Sequence, residues 1–289
     1  MSVQWFPGHM AKAQKLLTEN VKLVDVVMEL RDARIPESSY NPLLQTVIGT
    51  KPRLVILTKS DLADAQATKE WMVHLRQSGD AEVLAIDVHS SSLGKAILPK
   101  LEQLAAPKLP RNKQNGAPLR PVRTMVVGIP NVGKSSLINA LAKRAAAKTG
   151  ALPGVTRAKQ WIRLAESVEL LDTPGMLWPK LEDPEGARKL AVTGAVGQGG
   201  FDELELAAWL LAYLAAQHGD LLQRYRVADL TQSGEQLLSE VGRRRGCLVA
   251  GGKVDLSRAA DLVLLEFRTG KMGAITLDEV PNRGTADEI

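Results

Sequence analysis

Gly128-Ile-Pro-Asn-Val-Gly133-Lys134-Ser135 decides how the rest of this chain is read. It follows the apolar run Pro121-Val-Arg-Thr-Met-Val-Val127 and opens the helix-forming run Lys134-Ser-Ser-Leu-Ile-Asn-Ala-Leu-Ala-Lys143. A strand, a turn spaced GxxxxGK[ST] and a helix make a phosphate-binding loop. The glycines let backbone amides curl round a phosphate, and the helix N-terminus adds its positive dipole end. Asn131, Val132, Gly133, Lys134, Ser135 and Ser136 are therefore the residues expected to cradle a triphosphate. Lys134 reaches the β and γ phosphates and counts as catalytic on that ground, while Ser135 offers a hydroxyl to Mg²⁺.

Companion elements lie on both sides. Downstream, Ser167-Val-Glu-Leu-Leu171 runs into Asp172-Thr-Pro-Gly175, a DxxG element whose Asp172 would join the Mg²⁺ shell and whose Gly175 amide would face the γ-phosphate. Between the two, Thr156 sits where a switch threonine closes over the metal. Upstream, Arg53-Leu-Val-Ile-Leu57 leads into Thr58-Lys59-Ser60-Asp61, which reads as a guanine-recognising NKxD element. A carboxylate at Asp61 accepts hydrogen bonds from the guanine N1–H and exocyclic amine. Adenine presents a lone pair at N1 and no amine at C2, so such a site discriminates by on the order of 10⁴-fold. Lys59 would lie along the base, and backbone amides at Asp87 and Val88 would meet the guanine oxygen. Taken singly, TKSD is a strand followed by a helix N-cap and DTPG an ordinary turn. All three at the carboxyl ends of predicted parallel strands point to one nucleotide site.

Their order is unusual. The base-reading element at 58–61 precedes the phosphate loop at 128–135, the reverse of an ordinary GTP-binding domain. The expectation is a circularly permuted P-loop G domain: a mostly parallel sheet with helices on both faces, followed by a small all-helical C-terminal domain. Permutation is tolerated when the former termini lie close together and the new break falls in a loop. Here the break follows DxxG, so the switch runs through Met176-Leu-Trp-Pro179 into the helical part. Strands are expected at 22–30, 53–57, 82–88, 122–127, 158–164 and 168–171, with helices at 10–20, 42–48, 63–77, 94–104 and 134–144. From Glu203 onward only helices follow, at 203–217, 219–225, 234–243 and 257–269. The domain reading is 1–180 for nucleotide and 181–289 for a helical, RNA-binding unit.

Composition agrees with two domains. The 289 residues exceed one ordinary domain. At 45% hydrophobic and 24% charged, the chain is neither disordered nor fibrous. Its one cysteine, Cys247, excludes a disulfide framework or a multi-cysteine zinc site. The longest apolar stretch, from Leu206 to just past Leu214, is too short to span a bilayer, and no signal-peptide pattern opens the chain. A cytoplasmic protein without membrane contact is expected, and a monomer, since no exposed apolar heptad is evident. Net charge is only +5, yet no acidic residue lies between Glu102 and Glu166, where twelve Lys and Arg do. Uncompensated charge of that extent implies a polyanionic ligand. Lys12, Lys15 and Arg243-Arg244-Arg245, the last read as a cluster without nearby acid, are further candidates for phosphate contact. Aromatics make up 4%, so shape and backbone readout are expected over base stacking.

WFPGHMAKA, ELRDARIPESSYNP, GIPNVGKSSLINALAK, KTGALPGVTRAKQW, LLDTPGMLWPK, LAVTGA and RRRGCLVAGGKVD together resemble the YlqF family of circularly permuted GTPases, over essentially the whole chain. The resemblance implies hydrolysis of GTP to GDP and phosphate during late assembly of the large ribosomal subunit. It also implies binding to ribosomal RNA, stimulation by that particle and a helical RNA-binding C-terminal domain. Thr58 departs from the family's usual asparagine, and the shorter side chain loses one bridging amide. Many GTPases orient water with a glutamine right after DxxG, but Met176 stands there, and a thioether cannot. Two substitutes remain open. The family resemblance supports His9 as the water-positioning residue, and Asn131 could hold a K⁺ ion that supplies positive charge. A competing reading makes the protein a GTP-gated RNA placeholder in which hydrolysis is incidental.

Overall fold

The computed structural model describes residues 7–79, 82–110, 120–149, 161–171, 183–196 and 201–281, with backbone only over 7–13 and 144–149. The chain divides into two compact units, the first built around Gln4–Lys180 together with Thr276–Ile289 and the second around Leu181–Ile275.

The first unit carries a six-stranded sheet: β1 (Val26–Asp32), β2 (Arg53–Thr58), β3 (Glu82–Ala85), β4 (Val122–Gly128), β5 (Trp161–Ala165) and β6 (Val168–Leu171). Their order across the sheet is β3-β2-β1-β4-β6-β5. All neighbouring pairs are parallel except β5 against β6. Every residue of β1 is buried, as a central strand covered on both faces requires. The antiparallel edge strand β5 is only partly buried and carries a register irregularity between Arg163 and Ala165, a common way to blunt an edge.

Helices α1 (Pro7–Val21), α2 (Pro42–Ile48), α3 (Ala65–Gln77), α4 (Leu93–Ala105) and α5 (Lys134–Thr149) flank the strands. On one side Leu17 and Val21 of α1 and Leu44 and Ile48 of α2 pack with Val27, Met125, Val127 and Leu171. Elsewhere Trp71 and Leu75 of α3 close over Val55, Leu57 and Val83. The first helix begins at Pro7 rather than Met10, because proline suits the first turn, where no amide partner is needed. His9 therefore lies on the helix backbone, within its first turn.

The chain runs outward from β1 through β2 to β3, then crosses back to lay β4 on the other side of β1. That reversal is a topological switch point, where ligands bind outside the strand ends in open parallel sheets. The phosphate loop leaves β4 there.

The second unit contains α6 (Pro184–Val192), α7 (Glu203–Gln217), a 3₁₀ turn (Gly219–Tyr225), α8 (Gly234–Arg244) and α9 (Leu256–Arg268). The sequence reading missed α6. Its signal was present: Asp183 caps the amides of Glu185 and Gly186, with Pro184 at the first helical position. Leu210, Leu211 and Leu214 of α7, Leu237 and Val241 of α8 and Val263 and Phe267 of α9 form the core. A Cβ on Gly234 would sit 2.2 Å from the Ala208 carbonyl oxygen, so the start of α8 lies almost against the α7 backbone. Among the described residues no helix is long and apolar enough to cross a membrane. Thr276, Leu277 and Asp278, which the sequence reading grouped with the helices, are bonded instead to the sheet-bearing unit.

Candidate nucleotide site

The carboxyl end of β1 separates the two halves of the site. On one side Asp32 pairs in register with Thr58, and on the other Leu30 pairs with Gly128. The base-reading element and the phosphate loop, 70 residues apart in sequence, thus flank one strand end.

Thr58 ties them together. Its buried hydroxyl lies 2.6 Å from the Val132 carbonyl oxygen in the phosphate loop and 3.1 Å from the Arg31 carbonyl oxygen of β1. A hydroxyl has one proton to donate, and the shorter contact takes the larger share of it. The threonine that replaces the family's asparagine keeps one bridge across the site. Lys59, which follows, adopts a left-handed backbone (φ 56°) and sends its ammonium 2.9 Å to Asp32 Oδ2. Ser60 donates its amide to the Ile86 carbonyl, fixing this loop against the end of β3. Asp61 is exposed, and among the described residues nothing binds its carboxylate. Asp87 accepts from the amide of His89, turning the chain so that 86–90 lies beside Ser60.

Asp32 is the buried hub of this half. Arg34 grips it with two side-chain bonds of 2.9 and 2.7 Å and adds its own amide at 3.1 Å. Burial alone would raise the Asp32 pKa, but the charges and hydrogen bonds of Arg34 and Lys59 outweigh it and hold the carboxyl at about 2. Sequence reasoning assigned Asp32 and Arg34 no role, although a charged Arg31-Asp32-Ala33-Arg34 run directly after an apolar strand was visible.

The phosphate half is built from backbone. Gly128 has φ 150°, and a Cβ there would meet the Leu30 carbonyl oxygen at 2.7 Å, so only glycine fits between β1 and the loop. Asn131 is left-handed at φ 54° and exposed. Lys134 bends back to donate to the carbonyls of Gly128, at 3.1 Å, and Ile129. Burial pushes its ammonium down to about 8, the direction desolvation imposes on a cation. Ser135 and Ser136 are exposed in the first turn of α5. Strand β6 ends at Leu171, in register with Met125 of β4 and on the same sheet edge. Thr156, Asp172 and Gly175 lie outside the described residues, as does the side chain of His9.

The expectation of uncompensated charge is corrected in part. Arg120 makes a two-pronged pair with Asp25, and Arg123 lies 3.9 Å from Glu169 and over the Trp161 ring. The acid these cations lack in sequence arrives from the bend before β1 and from β6. The arginine run likewise has nearby acid: Arg244 pairs with Glu240, and Arg245 with the buried Glu266, which also accepts from the Tyr225 hydroxyl. Of the three, Arg243 alone is exposed without such a partner among the described residues.

A family model described as a 50S ribosome-binding GTPase matches residues 123–207, from β4 into the second unit. Ribosome biogenesis GTPase A of Priestia megaterium is 46% identical over 281 residues, covering 96% of this chain and 97% of that protein. Mitochondrial ribosome-associated GTPase 1 of Mus musculus is 38% identical over 296 residues, covering 95% of this chain and 90% of that one. The GDP-bound structure of TM YlqF superposes with a TM-score of 0.67 at 26% identity, across 91% of this chain and 98% of that one. Coverage this complete in both directions is more than one shared domain can produce: the chain belongs to the ribosome biogenesis GTPase A, or YlqF, family of circularly permuted GTP hydrolases.

Proposed function

We propose that this GTPase acts in ribosome assembly, on the large subunit, with GTP turnover slow in the free protein and stimulated by the ribosomal particle. The observation that carries a single guanine-nucleotide site is the Thr58 hydroxyl on the Val132 carbonyl, which joins the base-reading motif to the phosphate loop. The assembly role rests on the relatives' names and on exposed cations such as Lys15, Lys143 and Arg243.

In this reading Asp61 takes the guanine N1–H and amine, and Lys59, still held by Asp32, lays its stem along the base. The amides of 87–88 face the guanine oxygen. Lys134 exchanges the two loop carbonyls for β and γ phosphate oxygens, and its ammonium regains an anionic partner. Ser135 fits a hard cation, being an exposed oxygen donor at the head of α5, and would hold Mg²⁺ together with Thr156 and Asp172. When bound, Mg²⁺ supplies positive charge at the β and γ phosphates. His9 positions the attacking water, and Asn131 holds K⁺ where an arginine would otherwise neutralise charge. Equal hydrolysis rates in Na⁺ and K⁺ would remove the K⁺ assignment.

The carrying experiment compares GTP hydrolysis with and without purified large subunits, at two salt concentrations. Stimulation that fades at the higher salt is expected. No stimulation at either concentration overturns the particle-dependent reading. The placeholder reading draws on Met176, which leaves the usual water-orienting position without a polar group. A His9→Ala variant that binds GTP and RNA normally but stalls assembly favours turnover over placeholding.

A further inference from the structure

The segment that returns from the helical unit makes more contacts around the base-reading half than a chain end needs. Asp278 is buried, and its Oδ2 accepts from the amides of Glu37 and Ser38 at 2.9 and 2.8 Å. Its Oδ1 accepts from the Ser38 hydroxyl at 2.8 Å. Its carbonyl takes the indole N–H of the fully buried Trp71 in α3. One residue back, the Leu277 amide donates to the Arg34 carbonyl at 2.7 Å. One further back, Thr276 accepts from the Asp64 amide at 3.2 Å, and its hydroxyl lies 3.4 Å from the Ala33 carbonyl oxygen.

These anchors fall on the two loops that build the guanine side. The first, 32–39, holds Asp32 and Arg34. It is closed by the Asp32 amide, which donates to the Ser39 hydroxyl oxygen, and joined to the second by the Ala33 amide on the Thr58 carbonyl. The second, 58–64, carries Lys59 and Asp61. Asp32 in turn holds Lys59. A path of bonded atoms thus runs from Asp278 and Thr276 through both loops to the two side chains that meet the base. The strap bonds named above all end on 33–38, Asp64 and Trp71, and not on the phosphate loop.

We infer that residues 276–278 form a strap that positions the guanine-reading loop, with Asp278 and Thr276 as positioning residues for base recognition. The inference rests on the guanine-nucleotide reading of the site and extends it to residues more than 200 positions away in sequence. Because GTP and GDP share the base, loosening the strap weakens both to the same degree. Contacts to phosphates, and the hydrolysis rate once GTP is bound, stay as they were.

The test uses the full chain and measures GTP, GDP and inosine triphosphate affinities, saturated hydrolysis rate and melting temperature. Inosine lacks the exocyclic amine that Asp61 would bind, so the GTP-over-inosine-triphosphate ratio reports the aim of that carboxylate. Asp278→Ala is expected to weaken GTP and GDP alike by about tenfold and to lower that ratio, with the saturated rate within about twofold. Asp278→Asn should restore most of the loss, since an amide oxygen can take the two backbone amides while its NH₂ donates to Ser38 Oγ. Thr276→Val, which keeps shape and loses the hydroxyl, should show the same pattern more weakly and covers the case in which Asp278→Ala does not fold. A lower melting temperature with unchanged affinities and ratio overturns the strap as a positioning element. A wild-type chain indifferent to guanine nucleotides overturns the site reading beneath it as well, and the wild-type titration tells the two failures apart.

Discussion

The two halves of the proposed nucleotide site are held in different ways. The guanine half is fixed by side chains: a buried Asp32 between Arg34 and Lys59, the Thr58 hydroxyl and the Asp278 carboxylate. The phosphate half is fixed by main chain, with Gly128 wedged on Leu30 and Lys134 turned onto loop carbonyls. The contrast follows from the ligand. A base is told from other bases by a few hydrogen bonds, which discriminate only if their donors and acceptors are aimed beforehand. A triphosphate is a large charge that many amides can surround, and the loop needs permissive backbone more than fixed side chains.

The strongest way to break that contrast is at its charged ends. Lys134→Ala should reduce GTP affinity by roughly 10² to 10³-fold and GDP affinity less, because a charge-assisted bond to the γ-phosphate is lost with the ammonium. Titration calorimetry in Mg²⁺ buffer reads this directly, and near-normal binding would mean the phosphate half works without its cation. Asp61→Asn should cost GTP about 10²-fold while admitting xanthosine triphosphate, whose C2 carbonyl accepts from the new amide. If both nucleotides are lost together, Asp61 supports the loop and does not read the base.

Acid and alkali separate the halves next. Lys134 sits at about 8 against an ordinary 10.5, and phosphate raises it again, so GTP binding takes up a proton above that value. Affinity should be flat below pH 8 and fall by up to about tenfold per unit above it. Calorimetry in two buffers of different ionisation heat detects the proton. For stability the sign is opposite, since the cost of burying that ammonium, present below pH 8, is relieved as pH rises from 8 towards 10.5. Asp32 works at the other end: its carboxyl, lowered from 3.8 to about 2, stabilises the fold above 3.8 and loses that contribution as pH falls towards 2.

The smallest effect is at the seam. Thr58→Val leaves the Val132 carbonyl without its donor and should weaken GTP several-fold, roughly the worth of one buried hydrogen bond. Thr58→Asn restores a longer amide bridge and should tighten binding by about as much. Fluorescent nucleotide displacement measures both, and a Thr58→Val protein that binds like wild type would make the seam incidental.

Which parts of this site could be read in advance depends on how local their geometry is. The phosphate loop was legible because its strand, turn and helix are contiguous, so spacing alone fixes where each group points. The base-reading assignment of 58–61 rests on company, as TKSD gains meaning from a second motif at the same end of the sheet. Helix α6 was overlooked despite its Asp183 cap and Pro184 start, since it is short and precedes the long apolar run of α7. The charge was overread at Arg120, Arg123, Arg244 and Arg245, which the acids Asp25, Glu169, Glu240 and Glu266 reach in the folded chain.

By itself the chain's order of residues determined the fold class and the permutation, and pointed to where the nucleotide is proposed to bind, since each is written in short segments whose conformation depends on near neighbours. Only the folded arrangement decided that Thr58 bonds Val132, that Asp32 and Arg34 stand behind Lys59, and that Asp278 braces the loop containing them. Those contacts join positions 74, 27 and 240 residues apart. Sheet order and strand register bring such positions together, and no local pattern records which distant partner a buried polar group will find.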